Sequence, residues 1–243
     1  MSTHFPSTCI FISTFRQRKS LIDEFIKFYQ DSEICEVPLF IFSDEKQRIN
    51  QPSNIVHIAD EFHSISAHLG HTPKWGERLT RALSYLVNNY ERAIFMPDDA
   101  FIQSVDIYRF KHIFNNFLRF NSDFYSLTHD FKVKQPMDYE GLKFFKRSRD
   151  FLEMEYSYLP WYLTHQPSLW KLETLKRITY PDDTAVIHET QGFFRAQLHK
   201  IKLNSFESKC VFDAKGRFKE GVGINKKGLC SKSPIDLPKN LSS

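Results

Sequence analysis

Cysteine is scarce in this sequence, and the cysteines present are far apart. The four are Cys9, Cys35, Cys210 and Cys230 in 243 residues, and no two of them have the CxxC spacing of a zinc knuckle. A dense disulfide framework is also excluded, because such frameworks belong to short, cysteine-rich secreted chains. We therefore predict four reduced thiols.

Long apolar runs and a strong excess of one charge are absent as well. No uninterrupted apolar stretch approaches the roughly 20 residues needed to cross a bilayer, and the N-terminus lacks the basic segment and apolar run of a signal peptide. The formal net charge is +4, from 33 basic and 29 acidic residues, which is too small an excess to indicate nucleic-acid binding. We expect a cytoplasmic protein with no nucleic-acid partner, whose basic patches are compatible with a weak association with a membrane surface.

Hydrophobic residues, in contrast, are abundant. Residues of this class make up 41% of the chain and include 24 phenylalanines, a composition typical of a globular protein and far from that of a disordered one. The length favours one large domain, which we assign to residues 1–230. The last residues, 231–243, are dominated by Ser, Pro and Lys and predict a flexible tail.

Short apolar runs alternate with helical patterns over the first hundred residues. The runs at 8–12, 37–42 and 55–58 predict strands, and apolar spacing from Trp75 to Tyr90 predicts a helix of about four turns, followed by a buried strand at 93–96. This alternation predicts an α/β fold with an open, mostly parallel, Rossmann-like sheet flanked by helices. Further along, the sequence predicts helices at 110–120, 169–178 and 189–201, a strand at 123–127, a basic aromatic loop at 144–147, an extended segment at 158–164 and a mobile cationic loop at 215–228.

Two adjacent acids follow the predicted strand at 93–96. Asp98 and Asp99 come directly after Pro97, and ligands in open α/β sheets bind at the carboxyl ends of the strands. Paired carboxylates there can hold Mg²⁺ or Mn²⁺ beside the phosphates of a nucleotide. The alternative is a solvated turn, since Asp is a common turn residue.

Two helical segments supply further charged candidates. Arg78 and Arg81 lie on adjacent turns of one helix side and could contact phosphate, or they could line a solvated flank. Glu189, near the start of a predicted helix, could act as a general base, although acids are favoured at helix starts for electrostatic reasons alone. The pair His188–Glu189 is not a zincin motif, because Gly192 stands where the second histidine would be.

In their order along the chain, several segments resemble nucleotide-sugar glycosyltransferases of the GT-A type. The similarity is greatest to bacterial and large-virus enzymes in which a Trp-x-x-Arg helix leads into a strand that ends in Asp-Asp. The resembling segments are 75–79 (WGERL), 94–101 (IFMPDDAF), 163–170 (LTHQPSLW) and 189–192 (ETQG).

The resemblance implies a single GT-A-like domain with a nucleotide-binding half at about 1–105 and an acceptor and sugar half at about 106–230. It implies a nucleoside diphosphate sugar as donor, a saccharide or glycan as acceptor, a role in polysaccharide biosynthesis, and Mn²⁺ or Mg²⁺ held by Asp98 and Asp99. Glu189 would be the base of an inverting reaction, with Asp182 and Asp183 as rivals. The residues expected to bind the donor are Thr14, Arg16, Asp44, Trp75, Arg78, Asp98, Gln166 and Lys226.

Two other functions fit parts of the sequence. A nucleotidyltransferase that makes nucleotide sugars also needs acids and a nucleotide pocket, but such enzymes usually carry a glycine-rich loop after the first strand, and residues 13–19 contain no glycine. A non-catalytic module that binds RNA or another polyanion would use the basic C-terminal third. Binding that is sensitive to salt, without turnover of a sugar nucleotide, would distinguish this second alternative.

Overall fold

The fold is described here for residues 4–14, 19–43, 52–59, 75–97, 102–127, 143–149, 151–155, 166–205 and 212–214 of a computed structural model. The strands are β1 (Thr8–Ser13), β2 (Leu39–Ser43), β3 (Ile55–Ala59), β4 (Arg92–Phe95), β5 (Ile102–Val105), β6 (Phe124–Ser126), β7 (Lys143–Ser148), β8 (Phe151–Glu155), β9 (Ser168–Lys171), β10 (Leu203–Ser205) and β11 (Phe212–Ala214). The helices are α1 (Lys19–Asp31), α2 (Trp75–Leu86), α3 (Ile107–Arg119), α4 (Leu172–Ile178) and α5 (Ala185–Leu198).

Nine of these strands form one open sheet in the order β3-β2-β1-β4-β9-β6-β10-β8-β7. The first four pair in parallel, as β6 and β10 do. Only β9 and β8 run against the rest, because each is antiparallel to both of its neighbours. The small strands β5 and β11 pair separately. The predicted α/β fold with an open, mostly parallel sheet is confirmed.

Helices cover both faces of the sheet, and alternate residues of each central strand face opposite layers. In β1, Ile10 and Ile12 pack with the layer that contains α1 and α3, whereas Cys9 and Phe11 pack with the layer that contains α2, α4 and α5. The whole of β1 up to Ile12 is therefore buried. Strands covered on both faces read as continuous apolar runs, which is why the sequence revealed them.

The first four predicted strands are confirmed, but three other predictions need correction. The helix that begins at Trp75 has three turns rather than four, because the chain turns at Asn88 and Asn89, residues that favour turns over helix interiors. The predicted helix at 169–178 is β9 followed by α4, since a short buried strand has no periodicity that separates it from a helix. The predicted loop at 144–147 lies in β7, an edge strand, where exposed charged side chains are common.

The last predicted helix also begins earlier than expected. The Thr184 side chain accepts a hydrogen bond from the Ile187 amide (3.1 Å) and caps α5, which starts at Ala185. Glu189 therefore lies in the second turn of α5, beyond the part of a helix where its dipole alone favours an acid.

Several other expectations concern parts of the chain that lie outside the described residues. They are the extended segment at 158–164, the cationic loop at 215–228, the tail at 231–243, and two of the cysteines, Cys210 and Cys230. Cys9 and Cys35 are free thiols, as predicted. None of the helices in the described ranges is both long and apolar enough to cross a bilayer.

Candidate active site

The carboxyl ends of β1, β2 and β4 lie side by side. The Thr14 amide donates to the Phe42 carbonyl (2.9 Å), and the Met96 amide donates to the Phe11 carbonyl (3.0 Å), so pairing continues to the last residue of each strand. Thr14, one of the predicted donor-binding residues, is 3% exposed at this edge. We call the side of the sheet formed by these strand ends the carboxyl edge; the term does not refer to the edge strands β3 and β7.

Gln166 lies at the carboxyl edge because β9 is antiparallel to β4. Ser168, the first residue of β9, pairs with Phe95, the last of β4, and its hydroxyl donates to the Gln166 carbonyl (2.8 Å). Trp170, the last residue of the resembling segment 163–170, is a core residue, buried against Phe124 at a ring distance of 4.6 Å.

Two predicted residues, Trp75 and Arg78, lie in the first turns of α2. Both are half-buried, whereas Arg81 is exposed and lies 3.8 Å from the carboxylate of Glu77. The two arginines therefore differ, since Arg78 lies against the protein and Arg81 on the solvated flank that was the alternative interpretation.

The first turn of α2 contacts the turn between α4 and α5. The Gly76 amide donates to the Asp183 carbonyl (2.8 Å). A Cβ at position 76 would lie 1.9 Å from the carbonyl oxygen of Tyr180, closer than any side chain permits. Only glycine fits at this contact, so the backbone of α2 approaches the turn more closely than any other residue would allow.

Asp183 is held in this turn by an extensive set of hydrogen bonds. Its carboxylate accepts two bonds from the Arg195 guanidinium, one of 2.9 Å to Nη2, and one from the Tyr180 amide (2.9 Å). The residue is 2% exposed. Burial would raise the pKa of Asp183, but the hydrogen bonds and the charge of Arg195 outweigh it and hold the pKa below its usual value.

Arg195 extends this cluster in two directions. It donates to the Ile178 carbonyl (2.8 Å), and its guanidinium stacks on the Tyr180 ring at 3.8 Å. Such a stacked, bidentate guanidinium has no equivalent in lysine. The sequence offered only the acid-rich turn at 180–183 as a signal, and Arg195 was not among the predicted residues.

His188 packs beneath the start of α2, with its ring 4.9 Å from that of Trp75. Its Nε2 is 3.1 Å from the Thr179 hydroxyl, which itself donates to the Leu175 carbonyl (2.8 Å), so Nε2 carries the proton of the neutral ring. Burial lowers the pKa of His188 to about 4 and outweighs the opposite effect of Asp183. At neutral pH the ring is uncharged.

Glu189 lies in the N-terminal half of α5, near the turn that contains Asp183. The Leu172 amide donates to the Glu91 carbonyl at the start of β4, on the side of the sheet opposite the carboxyl edge, which we call the amino edge. The helix α4 therefore runs from the amino edge towards the carboxyl edge, and α5 runs back. Glu189 is half-buried, on the helix side that carries Phe193 and Ala196 one and two turns further on. Those two residues are buried, so burial on this side of α5 decreases from Phe193 towards Glu189.

The structure also separates the three candidate bases. Asp183 is hydrogen-bonded to Arg195 and buried, so its carboxylate is not available to an acceptor. Asp182 is exposed on the outer side of the same turn. Glu189 combines partial burial with a position at the carboxyl edge.

The remaining predicted residues, Arg16, Asp44, Asp98, Asp99 and Lys226, lie outside the described residues. Among the residues that the structure describes, no group of three or more His, Cys, Asp or Glu could hold a metal ion. Asp98 and Asp99 directly follow Pro97, which is buried at the end of the β4 segment. A pair of carboxylates following that strand has the oxygen chemistry that Mg²⁺ and Mn²⁺ require.

No family model matches the chain, and no curated protein matches it in sequence. Among solved structures, S. aureus TarS 1–349 matches over 84% of this chain with 16% identity and a TM-score of 0.51. The same protein in complex with UDP-GlcNAc matches over 84% with 15% identity and a TM-score of 0.54. The chain spans 59% and 57% of the lengths of those two structures. At such identities the similarity is one of fold.

Proposed function

We propose that this chain is a metal-dependent glycosyltransferase that moves a sugar from a nucleoside diphosphate sugar to a saccharide or glycan, with inversion at the anomeric carbon. The observation that carries the proposal is the set of residues at the carboxyl edge. Thr14, Gln166, the start of α2 with Trp75 and Arg78, and the second turn of α5 with Glu189 belong to this one side of the sheet. The fold similarity to S. aureus TarS, which has been solved in complex with UDP-GlcNAc, supports this assignment.

The donor side of the proposed site needs positive charge. Transfer from a nucleoside diphosphate sugar releases a diphosphate, whose developing charge must be stabilised by cations. Arg78, half-buried one turn into α2, contributes one cation in the proposal. Asp98 and Asp99 would hold Mn²⁺ or Mg²⁺, which would neutralise the leaving group. The structure of TarS with UDP-GlcNAc supports a nucleotide sugar as donor.

The acceptor side needs a base. In an inverting reaction the acceptor hydroxyl loses its proton as the new bond forms, and a carboxylate within hydrogen-bond reach accepts it. We assign this role to Glu189. The commitment of Asp183 to Arg195 supports the choice, because a buried carboxylate with a lowered pKa and three hydrogen bonds is a poor proton acceptor.

Thermal unfolding in the presence of a nucleotide tests the proposal. We expect UDP or another nucleoside diphosphate to raise the melting temperature when Mn²⁺ or Mg²⁺ is present, because a ligand that binds only the folded state stabilises it. Asp99→Asn should abolish this increase and leave the melting temperature without ligand unchanged. Asp31→Asn, at the exposed far end of α1, is the matched control and should respond like the unmodified protein.

Two results would contradict the proposal. Equal stabilisation by the nucleotide in EDTA would exclude a metal-bridged diphosphate. Release of pyrophosphate, rather than of a nucleoside diphosphate, during turnover would identify a nucleotidyltransferase instead.

A further inference from the structure

We propose that Gly76, Asp183 and Arg195 form a clamp that holds the first turn of α2 on the start of α5 and thereby keeps Glu189 in position relative to the donor-binding residues. The clamp deepens the proposed function, and its role in catalysis rests on that function. Asp183 and Arg195 are positioning residues in this proposal, since they act through the helices and not on the reacting atoms.

The clamp is built around a buried ion pair. The side chains of Asp183 and Arg195 are 3% and 14% exposed, and every oxygen of the carboxylate has a donor. Removing two charges from water is costly, so a buried pair of this kind is poor evidence of a device for stability. Its geometry is well defined, however, because a bidentate guanidinium fixes both distance and orientation.

The pair connects three elements that otherwise have separate anchors. Arg195 belongs to the C-terminal half of α5, Asp183 to the turn before α5, and the Asp183 carbonyl accepts the Gly76 amide of α2. The amides of the first helical turn have no partner within their own helix, so this bond is a tertiary anchor of the α2 start, beside the packing of Trp75 on His188. The glycine at position 76 permits the close approach on which the bond depends.

Both helices have other anchors at their lower turns. Leu79, Leu83 and Leu86 hold α2 on the sheet, and Phe193 and Ala196 hold α5. Without the clamp these lower turns would stay packed, and only the N-terminal turns would separate. Glu189 lies in that N-terminal half of α5, whereas Arg78 is next to the anchored Leu79. Loss of the clamp should therefore reduce turnover more than donor binding.

Hydrogen exchange of the Gly76 amide measures the clamp without reference to any activity. In the full-length protein we expect this amide to be protected, although it lies in the first turn of a helix. Asp183→Asn should lower its protection at least tenfold, because the neutral side chain no longer holds the turn against Arg195. With a nucleotide-sugar substrate, the same variant should lose at least tenfold in kcat while the donor Kd changes less than about threefold.

Tyr29→Phe is the control for general loss of stability. It removes a buried hydroxyl from the opposite helical layer and should leave both Gly76 protection and kcat unchanged. If Asp183→Asn does not fold, Arg195→Lys retains the charge without the bidentate geometry and should lower Gly76 protection and kcat in parallel, each to a smaller extent.

Unchanged Gly76 protection in both variants would overturn the clamp. Lost protection with a normal kcat would reduce the cluster to a structural role and overturn its positioning role. If the unmodified protein turns over no nucleotide sugar, the proposed function fails, and Gly76 exchange still decides whether the clamp exists.

Discussion

The two edges of the sheet are built in different ways. At the amino edge, polar side chains close the structure by bonding to nearby backbone. The Tyr29 hydroxyl donates to the Val37 carbonyl (2.7 Å) and accepts from Asn54 (2.9 Å), and Asp123 accepts from Thr174 and from the Lys202 amide. At the carboxyl edge, Arg78, Gln166 and Glu189 are only half-buried.

This difference shows where the molecule uses its polar groups for stability and where it keeps them for other purposes. A polar group that satisfies a strand end contributes about 1 kcal/mol and has no further role. Half-buried charged groups at the opposite edge contribute little to stability and lie where α/β proteins bind ligands. Substitutions at the two edges should therefore have opposite consequences for activity and for unfolding.

The largest effect should come from Glu189. Glu189→Gln retains the shape of the side chain but cannot accept a proton, so kcat should fall by about 10²–10⁴, the usual contribution of a general base. Donor affinity should stay near that of the unmodified protein. Single-turnover kinetics and equilibrium binding of the donor measure the two quantities separately.

Glu173→Gln is the matched control, since Glu173 is an exposed acid in the first turn of α4, at the amino edge. It should leave kcat unchanged. Full activity of the Glu189→Gln variant would show that another residue is the base. A product with retained configuration would show that the reaction does not need a general base of this kind.

The next effect concerns His188 and stability. Its folded-state pKa of about 4 lies below the ordinary value of 6.5, so between these pH values the unfolded chain binds a proton that the folded protein excludes. Stability should fall as pH decreases from 6.5 to 4, and a shift of this size corresponds to about 3 kcal/mol. The pKa of Asp183 is lowered by its hydrogen bonds and by Arg195, so its own contribution to stability is lost mainly at lower pH, around and below its ordinary pKa.

Urea unfolding at pH 6.5 and at pH 4 measures the His188 contribution. The glutamine of His188→Gln cannot be protonated, so the free energy of unfolding of this variant should fall by about 3 kcal/mol less than that of the unmodified protein over this pH interval. Equal losses in the two proteins would show that His188 binds a proton as readily in the folded state as in the unfolded chain.

The parts of the fold that the sequence predicts are those governed by local patterns. β1, β2, β3 and β4 were recognisable because strands buried on both faces are continuous apolar runs. The direction of β9 was not recognisable from the sequence, because an antiparallel strand inserted between β4 and β6 depends on long-range pairing. Likewise, no local pattern separates the edge strand β7 from a basic loop.

The candidate site shows the same division. Thr14 and Gln166 were expected from the resemblance, and both lie at the carboxyl edge; that they bind the donor stays a prediction. The partnership of Asp183 with Arg195 could not, since the two are twelve positions apart and meet only through the turn between α4 and α5. The sequence made Asp183 a rival base, and its burial with Arg195 explains why it is instead a structural acid.

A smaller effect should follow from substitution of Arg78. Arg78→Ala removes a cation from a half-buried position at the start of α2, and the loss of a charge-assisted contact to diphosphate should weaken donor binding by about 10- to 100-fold. Arg81→Ala, on the exposed side of the same helix, is the control and should change the donor Kd less than about twofold. Equal effects of the two substitutions on the donor Kd would show that Arg78, like Arg81, makes no specific contact with the donor.

The smallest effect on function should be found at the amino edge. Tyr29→Phe removes the hydroxyl that donates to the Val37 and Cys35 carbonyls and accepts from Asn54, while Asn54 keeps its bond to the Cys35 carbonyl (2.6 Å). The Val37 carbonyl therefore loses its bond of 2.7 Å, and the Cys35 carbonyl loses the longer of its two bonds. The free energy of unfolding should decrease by about 1 kcal/mol. Because the substitution lies at the sheet edge opposite Glu189 and Arg78, kcat and donor Kd should not change. A loss of activity in a folded Tyr29→Phe protein would show that the two edges are coupled, and the contrast between a structural edge and a functional edge would be wrong.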